Sequence, residues 1–206
     1  MPQLLIAAPC PSEDQLITRF GGRPLIDAGA AFNWPRCADC GGESPMQFMG
    51  QLAVSAEATT DIVSLFMCAV GDGCCTWEAD GGANLAHISS TPQMQCCDPP
   101  SAAENAVRPA MYGAATHSSD APSYDEARSQ WAANNGGEQR QVLGQIGGAP
   151  QWLQADETPI CACGATMTFV AQLEEGPDYE TAFNFGSGCA YVFRCGTHSA
   201  KMLWQC

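Results

Sequence analysis

Positive charge is scarce in this sequence. Its 206 residues include eight lysines and arginines against 22 aspartates and glutamates, and the formal net charge at pH 7 is −14. Binding to a nucleic-acid backbone by counterion release needs clustered cations, so this composition excludes a nucleic-acid binder of the usual kind. A strongly negative field attracts and steers basic proteins, and a basic protein is therefore the partner we expect.

Long hydrophobic runs are also missing. No stretch approaches the roughly 20 apolar residues that a membrane-spanning helix needs. The first residues, MPQLLIAA, have a short apolar run without the basic residues of a secretory signal. We therefore expect a cytoplasmic protein with no membrane partner.

Histidine, the most frequent acid–base catalyst, occurs only three times. The Gly-Gly-x-Pro segments lack the lysine and the strand–loop–helix context of a phosphate-binding loop. No cysteine is flanked by a recognisable nucleophile signature, and we predict a protein that is not an enzyme and has no small-molecule substrate. A thiol-dependent enzyme stays open as an alternative, because a Cys/His pair close only in space is invisible in sequence.

Cysteine is abundant, and its count of 13 is odd. Intramolecular disulfides cannot pair an odd number of cysteines. In a reducing compartment, closely spaced cysteine pairs more often hold a metal or remain thiols. The cysteines therefore favour metal sites over a disulfide framework.

Two segments more than a hundred residues apart repeat one order of residues. The first copy contains Gly21-Gly22-Arg23-Pro24, Cys37-x-x-Cys40, Met46-x-Phe48-x-x-Gln51-Leu52 and Leu65-Phe66-x-Cys68. The second copy contains Gly147-Gly148-Ala149-Pro150, Cys161-x-Cys163, Met167-x-Phe169-x-x-Gln172-Leu173 and Val192-Phe193-x-Cys195. Such self-similarity indicates an internal duplication. We predict one domain, with a first repeat at 19–88, a connector with one short helix at 89–140 and a second repeat at 141–206.

Local patterns within the repeats favour strands. Alternating residues in 46–52 suit a strand with one buried face, and 63–70 is a continuous apolar run that ends at Gly71. In the connector, Ser123 with Glu126 matches a capping box and predicts the short helix. The predicted fold is a β-rich α+β protein: a pseudo-symmetric duplication of an antiparallel β unit with zinc-ribbon-like hairpins and a few short helices.

Cysteines at two hairpin turns can surround a tetrahedral ion, as in a zinc ribbon. In the first repeat the predicted ligands are Cys37, Cys40, Cys68 and either Cys74 or Cys75. The alternative is that Cys68 and Cys74 are small buried hydrophobic residues. Four soft ligands leave no open coordination position, so this Zn²⁺ would be structural.

The second repeat has a tighter cysteine pair and no cysteine at the following turn. The predicted ligands of a second structural Zn²⁺ are therefore Cys161, Cys163, Cys195 and His198. Cys206 competes as the fourth ligand, but the returning strand should carry it ~20–25 Å from the turn, at ~3.3 Å per residue. We prefer His198.

Partner-binding candidates come from an acidic insertion and from the connector helix. The insertion after the second copy's first strand carries Glu174, Glu175, Asp178 and Glu180, and is more typical of a solvated loop than of a catalytic carboxylate pair. Trp131 on the predicted helix is the candidate for an exposed apolar anchor. The other tryptophans lie beside the repeat motifs, where packing in the core is the default interpretation.

The ordered motifs resemble those of two related families. The first is the bacterial YwqG-like family, on the residues Trp34-Pro35, Pro45-Met46-x-Phe48-x-x-Gln51-Leu52 and Gly148-x-Pro150-x-Trp152-x-Gln154. The second is the eukaryotic programmed cell death protein 2 family, on Pro150-Gln151-Trp152-Leu153, Cys161-x-Cys163-Gly164, Met167-x-Phe169-x-x-Gln172 and Tyr191-Val192-Phe193-x-Cys195. The resemblance covers about two thirds of the chain and leaves out the N-terminal arm and the connector.

This resemblance implies a pseudo-symmetric β-rich fold and a role in protein binding. Eukaryotic relatives escort a ribosomal protein, and bacterial relatives occur beside secreted toxins in the role of immunity proteins. Neither family supplies catalytic residues. The functional prediction is an acidic immunity protein that binds and occludes a basic toxin such as a nuclease, and the alternative is a chaperone for a basic ribosomal or nucleic-acid-binding protein.

Overall fold

A computed structural model describes residues 2–9, 12–56, 59–70, 76–101, 103, 105–196 and 199–206. It confirms a β-rich chain. The strands are β1 (Gln3–Ala8), β2 (Arg19–Phe20), β3 (Leu25–Asp27), β4 (Gln47–Ala56), β5 (Thr59–Met67), β6 (Asn84–Ser89), β7 (Met94–Cys96), β8 (Tyr112–Ser118), β9 (Val142–Ile146), β10 (Thr168–Leu173), β11 (Cys189–Cys195) and β12 (Ser199–Gln205). The helix α1 (Tyr124–Asn135) and a 3₁₀ turn at Gln139–Gln141 lie between β8 and β9.

Ten strands form a closed antiparallel barrel. Their order around the ring is β1-β8-β2-β4-β5-β6-β12-β11-β10-β9, and β9 pairs with β1 to close it. The remaining two strands, β3 and β7, form a small separate sheet. Full closure removes the exposed edges that an open sheet of this size would present.

The barrel contains two four-stranded antiparallel meanders. One meander is β2-β4-β5-β6 and the other is β9-β10-β11-β12, and their last strands meet through one residue pair, Ala86 with Ala200. The strand that follows the cysteine pair is bulged at the same place in both: β4 between Phe48 and Gly50, and β10 between Phe169 and Ala171. A bulge bends its strand and increases the local twist, so both meanders curve at matching points.

The first strand of each half lies beside the other half. β1 precedes the first meander in sequence but pairs with β9 of the second, from Gln3 opposite Ile146 to Ile6 opposite Val142. Strand β8 precedes the second meander but pairs with β2 of the first. β1 and β8 also pair with one another along their length. The two halves are therefore joined by exchanged strands.

The strands beside the cysteines are buried on both faces. Val63 and Leu65 of β5 point into the barrel core, whereas Phe66 packs outside it against Cys37 and Met46. In β11, residues 190 and 192 join the barrel core, while Tyr191 and Phe193 pack outside with Cys161. Burial on both faces explains why these strands have continuous apolar runs instead of alternation.

The predicted connector helix is confirmed. Ser123 caps α1 and accepts a hydrogen bond from the Glu126 N–H at 3.3 Å, and Gly136 ends the helix with φ +61°. Segment 89–140 also contains β7 and β8 besides that helix. No helix among the described residues is both long enough and apolar enough to cross a membrane.

Candidate metal centres

Three cysteines of the first half converge at one end of the barrel. The Sγ atoms of Cys37, Cys40 and Cys68 all lie within 4.8 Å of one another, and those of Cys40 and Cys68 are 3.6 Å apart. Cys37 is fully buried, and Cys40 and Cys68 are half-buried. We call this cluster the first triad.

A tight turn and a strand end hold the first triad. The Cys37 N–H donates to the Ser44 carbonyl and the Gly42 N–H donates to the Cys37 carbonyl, both at 2.9 Å. Gly42 has φ +75°, a left-handed conformation in which glycine has no steric penalty. Cys68 follows β5, and its N–H donates to the Ala83 carbonyl at 2.9 Å.

A matching cluster, the second triad, consists of Cys161, Cys163 and Cys195. Its Sγ atoms also lie within 4.8 Å of one another, with 3.6 Å between Cys163 and Cys195. The Cys161 N–H donates to the Ala165 carbonyl and the Gly164 N–H donates to the Cys161 carbonyl, both at 2.8 Å. The turn is shorter than that of the first triad, as the Cys-x-Cys spacing requires.

The two triads lie beside strands that run in opposite directions. Strands β5, β6, β12 and β11 are neighbours in that order, and each pair is antiparallel. β5 and β11 therefore run in opposite directions. Cys68 directly follows β5 and Cys195 ends β11. Segment 76–82 connects their surroundings: the Gly82 carbonyl accepts the Ala38 N–H, and Asp80 pairs with Lys201, which also donates to the Ile160 carbonyl.

The sulfur spacing in both triads suits a shared ion. Tetrahedral Zn²⁺ with Zn–S bonds of about 2.3 Å separates its sulfur ligands by about 3.8 Å. A disulfide would bring two sulfurs to about 2.05 Å. The observed 3.6 Å distances are close to the tetrahedral value. Both triads could hold a metal ion through three soft ligands.

Thiols of the second triad polarise one another. The backbone N–H of Cys163 and the thiols of Cys163 and Cys195 lower the pKa of Cys161 to about 7. Donation to Cys161 and Cys163 raises the pKa of Cys195 to about 11. A thiolate is thus favoured at Cys161 near neutral pH, which is the form that binds metal.

The predicted fourth ligands, Cys74 or Cys75 and His198, lie outside the described residues. Thr76 donates its N–H at 2.7 Å to the carboxylate of Asp39, which lies between Cys37 and Cys40 in the chain. Ser199 pairs with Cys195 across the hairpin. Both described neighbours of the predicted ligands are therefore close to a triad. The competing ligand Cys206 follows Gln205, which pairs with Cys189 at the far end of β11.

The predicted partner-binding acids have different environments. Glu174 is largely buried, accepts a hydrogen bond from the Tyr124 hydroxyl at 2.9 Å and pairs with Arg128 at 3.1 Å, and burial raises its pKa. Glu175 accepts the N–H groups of Phe185 and Ser187, both at 2.9 Å. These two acids stabilise the chain itself.

Asp178 and Glu180 are exposed on the same insertion. The Thr181 N–H donates to Asp178 at 2.8 Å and lowers the pKa of its carboxyl group. Trp131 is half-buried and packs with the cluster that α1 forms against β1 and β9. Of the five candidates, Asp178 and Glu180 are the two with exposed side chains.

Every lysine and arginine of the chain interacts with another part of it. Four form ion pairs: Arg23 with Glu13 and Asp98, Arg128 with Glu174, Arg194 with Asp61 and Lys201 with Asp80. The other four donate to backbone carbonyls: Arg19 to Gly21, Arg36 to Glu43, Arg108 to Thr181 and Arg140 to Gly176. Sequence composition did not predict this complete internal use of the cations.

No protein-family model matches the chain, and neither does any curated protein.

Proposed function

We propose that each triad, completed by one further ligand, holds a structural Zn²⁺ ion. The fourth ligands would be Cys74 or Cys75 at the first triad and His198 at the second. The 3.6 Å sulfur separations, the tight turns and the lowered pKa of Cys161 support this assignment. With four protein ligands, neither ion has an open position for a substrate, so the ions would brace the fold and not catalyse.

The two zinc sites would descend from one duplicated hairpin unit. Matching meanders, a bulge at the same point of β4 and β10, and a cysteine triad beside each meander support this duplication. Each triad would then be a zinc-ribbon-like closure of one copy.

Metal analysis of protein purified under reducing conditions tests the zinc assignment. We expect two equivalents of zinc per chain, with Cys37→Ser and Cys161→Ser each losing one. Cys97→Ser is the matched control and keeps both, because Cys97 belongs to neither triad. Wild-type protein that binds no zinc after reduction would reject the assignment.

We further propose that the zinc-braced chain is a non-enzymatic immunity protein that binds a basic toxin and occludes its cationic active site. The observation that carries this proposal is that all eight cations are used internally, whereas among the described acidic residues only five carboxylates belong to ion pairs. The acidic residues outside these ion pairs give the surface a negative electrostatic field, which would steer a cationic partner towards it.

Co-expression with a toxin encoded beside this chain tests the immunity role. We expect protection of the cells, and association of the two purified proteins that weakens strongly as salt is raised. Failure to protect, together with no binding of the purified toxin at low salt, would reject the role.

Two charge reversals would locate the binding face. Glu180→Lys changes the exposed insertion and Glu126→Lys makes the same change on the exposed side of α1. If the insertion forms the face, as the sequence predicts, Glu180→Lys slows association and Glu126→Lys has a smaller effect. Equal effects would assign the steering to the overall charge and not to the insertion.

A further inference from the structure

A cavity of about 220 Å³ opens at the rim of the barrel that carries the first triad. The start of β4, the end of β5, the start of β6, the end of β12 and the insertion after β10 surround it. Met49, Met67 and Trp204 provide apolar wall, and Asn84 and Arg108 provide polar groups. This volume lies below the ~300–1,000 Å³ of drug-sized ligand sites, so it suits a small ligand group.

Asn84 supplies a buried acceptor on this cavity wall. It is only 4% exposed, and its Nδ2 group donates to the Thr76 carbonyl at 3.2 Å. Its Oδ1 atom accepts no hydrogen bond from the described residues. Leaving a buried acceptor unsatisfied is unfavourable, so this atom favours a ligand with an N–H donor.

Arg108 supplies positive charge on the same wall. Its Nη2 group donates to the carbonyls of Thr181 at 2.5 Å and Ala182 at 2.9 Å, and the guanidinium lies 4.8 Å from the centre of the Phe183 ring. It forms no ion pair with a carboxylate of the described chain, unlike four of the other cations. The guanidinium is thus held in place without a carboxylate in direct contact, although the charges of Asp178 and Glu175 act on it from a greater distance.

The nearest acidic groups of the insertion are committed elsewhere. Glu175 accepts the N–H groups of Phe185 and Ser187, and Asp178 accepts the N–H and hydroxyl of Thr181. A half-buried, immobilised arginine with no carboxylate partner suits an anion that it can bind through two hydrogen bonds.

We propose that this cavity binds an N-acylated amino acid with an apolar side chain, the chemistry shared by the carboxyl-terminal residue of a polypeptide. Arg108 binds the carboxylate, Asn84 Oδ1 accepts the amide N–H, and Met67 and Trp204 contact the apolar side chain. This site is independent of the toxin-binding proposal, and the sequence composition gives no sign of it.

Titration of the zinc-loaded full chain with N-acetyl-L-leucine tests the proposal, and N-acetyl-L-leucinamide is the matched probe without a carboxylate. We expect saturable binding of the acid and at least about tenfold weaker binding of the amide, because the amide lacks the charge-assisted hydrogen bonds to Arg108. A tetrapeptide ending in leucine distinguishes a polypeptide terminus from a free N-acyl amino acid as the ligand. If it binds at least as tightly as the acid, a polypeptide terminus is the ligand, and if it is excluded, a free N-acyl amino acid is.

Single substitutions test whether Arg108 and Asn84 contact the ligand. Arg108→Gln and Asn84→Asp should each weaken binding of the acid at least about tenfold, since one removes the counter-charge and the other adds a repelling carboxylate. Arg140→Gln is the control: Arg140 also donates to the insertion, at the Gly176 carbonyl, but does not line this cavity. If Arg108→Gln fails to fold, Asn84→Asp and the acid–amide pair still decide. No saturable binding of the acid up to about 10 mM, or equal binding of acid and amide, would overturn the proposal.

Discussion

The first and second triads share one sulfur geometry but differ in depth. Cys37 of the first triad is fully buried and packs with Met46, Phe48 and Phe66. In the second triad Cys161 is 5% exposed, but Cys163 is exposed to solvent. The burial of the ligands determines how strongly an ion stabilises the fold, because losing the ion from a buried site leaves a thiol without a binding partner in the apolar core. The first triad should therefore contribute more to stability than the second.

The largest effect should come from Cys37→Ser. It removes a ligand and leaves a hydroxyl in the apolar cluster beneath the first triad, so we expect the free energy of unfolding to fall by more than about 3 kcal/mol. Denaturant unfolding of the reduced, zinc-loaded proteins measures this. Cys97→Ser, outside both triads, should change the value by no more than about 0.5 kcal/mol.

Cys163→Ser should have an intermediate effect. It removes one zinc equivalent, but its exposed position lets water solvate the remaining groups, and we expect a loss of about 2 kcal/mol. In wild type, a chelator should release this ion first, so that alkylation modifies Cys163 and Cys195 before Cys37. Equal losses for the two variants, or release from the first triad first, would contradict the comparison.

A smaller effect is expected from the insertion that only the second half carries. Glu175→Ala removes the acceptor of the Phe185 and Ser187 N–H groups and should cost about 1 kcal/mol. Glu180→Ala, an exposed neighbour, is the matched control and should be close to neutral. If both variants behave alike in thermal unfolding, Glu175 does not order the insertion.

The smallest effect is the pH response of His87, which belongs to the first half alone. Burial lowers its pKa below the ordinary value of 6.5, and its ring lies 5.1 Å from that of Phe32. The unfolded chain therefore takes up a proton more readily than the folded chain as pH falls below 6.5. The stability that neutral His87 provides is present above pH 6.5 and is lost on acidification.

Replacing His87 separates its contribution to the pH dependence of stability from that of zinc release. The loss of unfolding free energy between about pH 7.5 and 5.5 should be smaller in His87→Leu than in wild type. Zinc release on acidification affects both proteins and cancels in the difference. An identical pH dependence in the two proteins would show that His87 titrates normally.

Sequence patterns located the local elements well. The duplicated motifs placed strands at β4, β10 and β11, and the capping box at Ser123 placed α1. They also indicated which three cysteines lie close together in each triad, because a short turn restricts the positions that its cysteines can reach. Such signals are local: a turn, a cap or a strand period is encoded within about ten residues.

The pairing of strands that are distant in sequence is not signalled by any local motif. The exchange of β1 and β8 depends on which strand edges meet, and neither strand carries a motif for its partner. Glu174 was predicted as a surface acid, but Arg128 and Tyr124 approach it from α1, some 50 residues away. The cavity groups Asn84 and Arg108 became visible only through their unmatched hydrogen-bonding capacity.

The exchanged strands β1 and β8 have a consequence for how this chain can be divided. In the single ten-stranded ring, β1 pairs only with strands of the second half, and β8 pairs only with strands of the first half. A polypeptide containing one half would therefore lack the pairing partners of its first strand. When both half-length polypeptides are present, each could supply the strands that pair with the first strand of the other, and the ring would form from two chains.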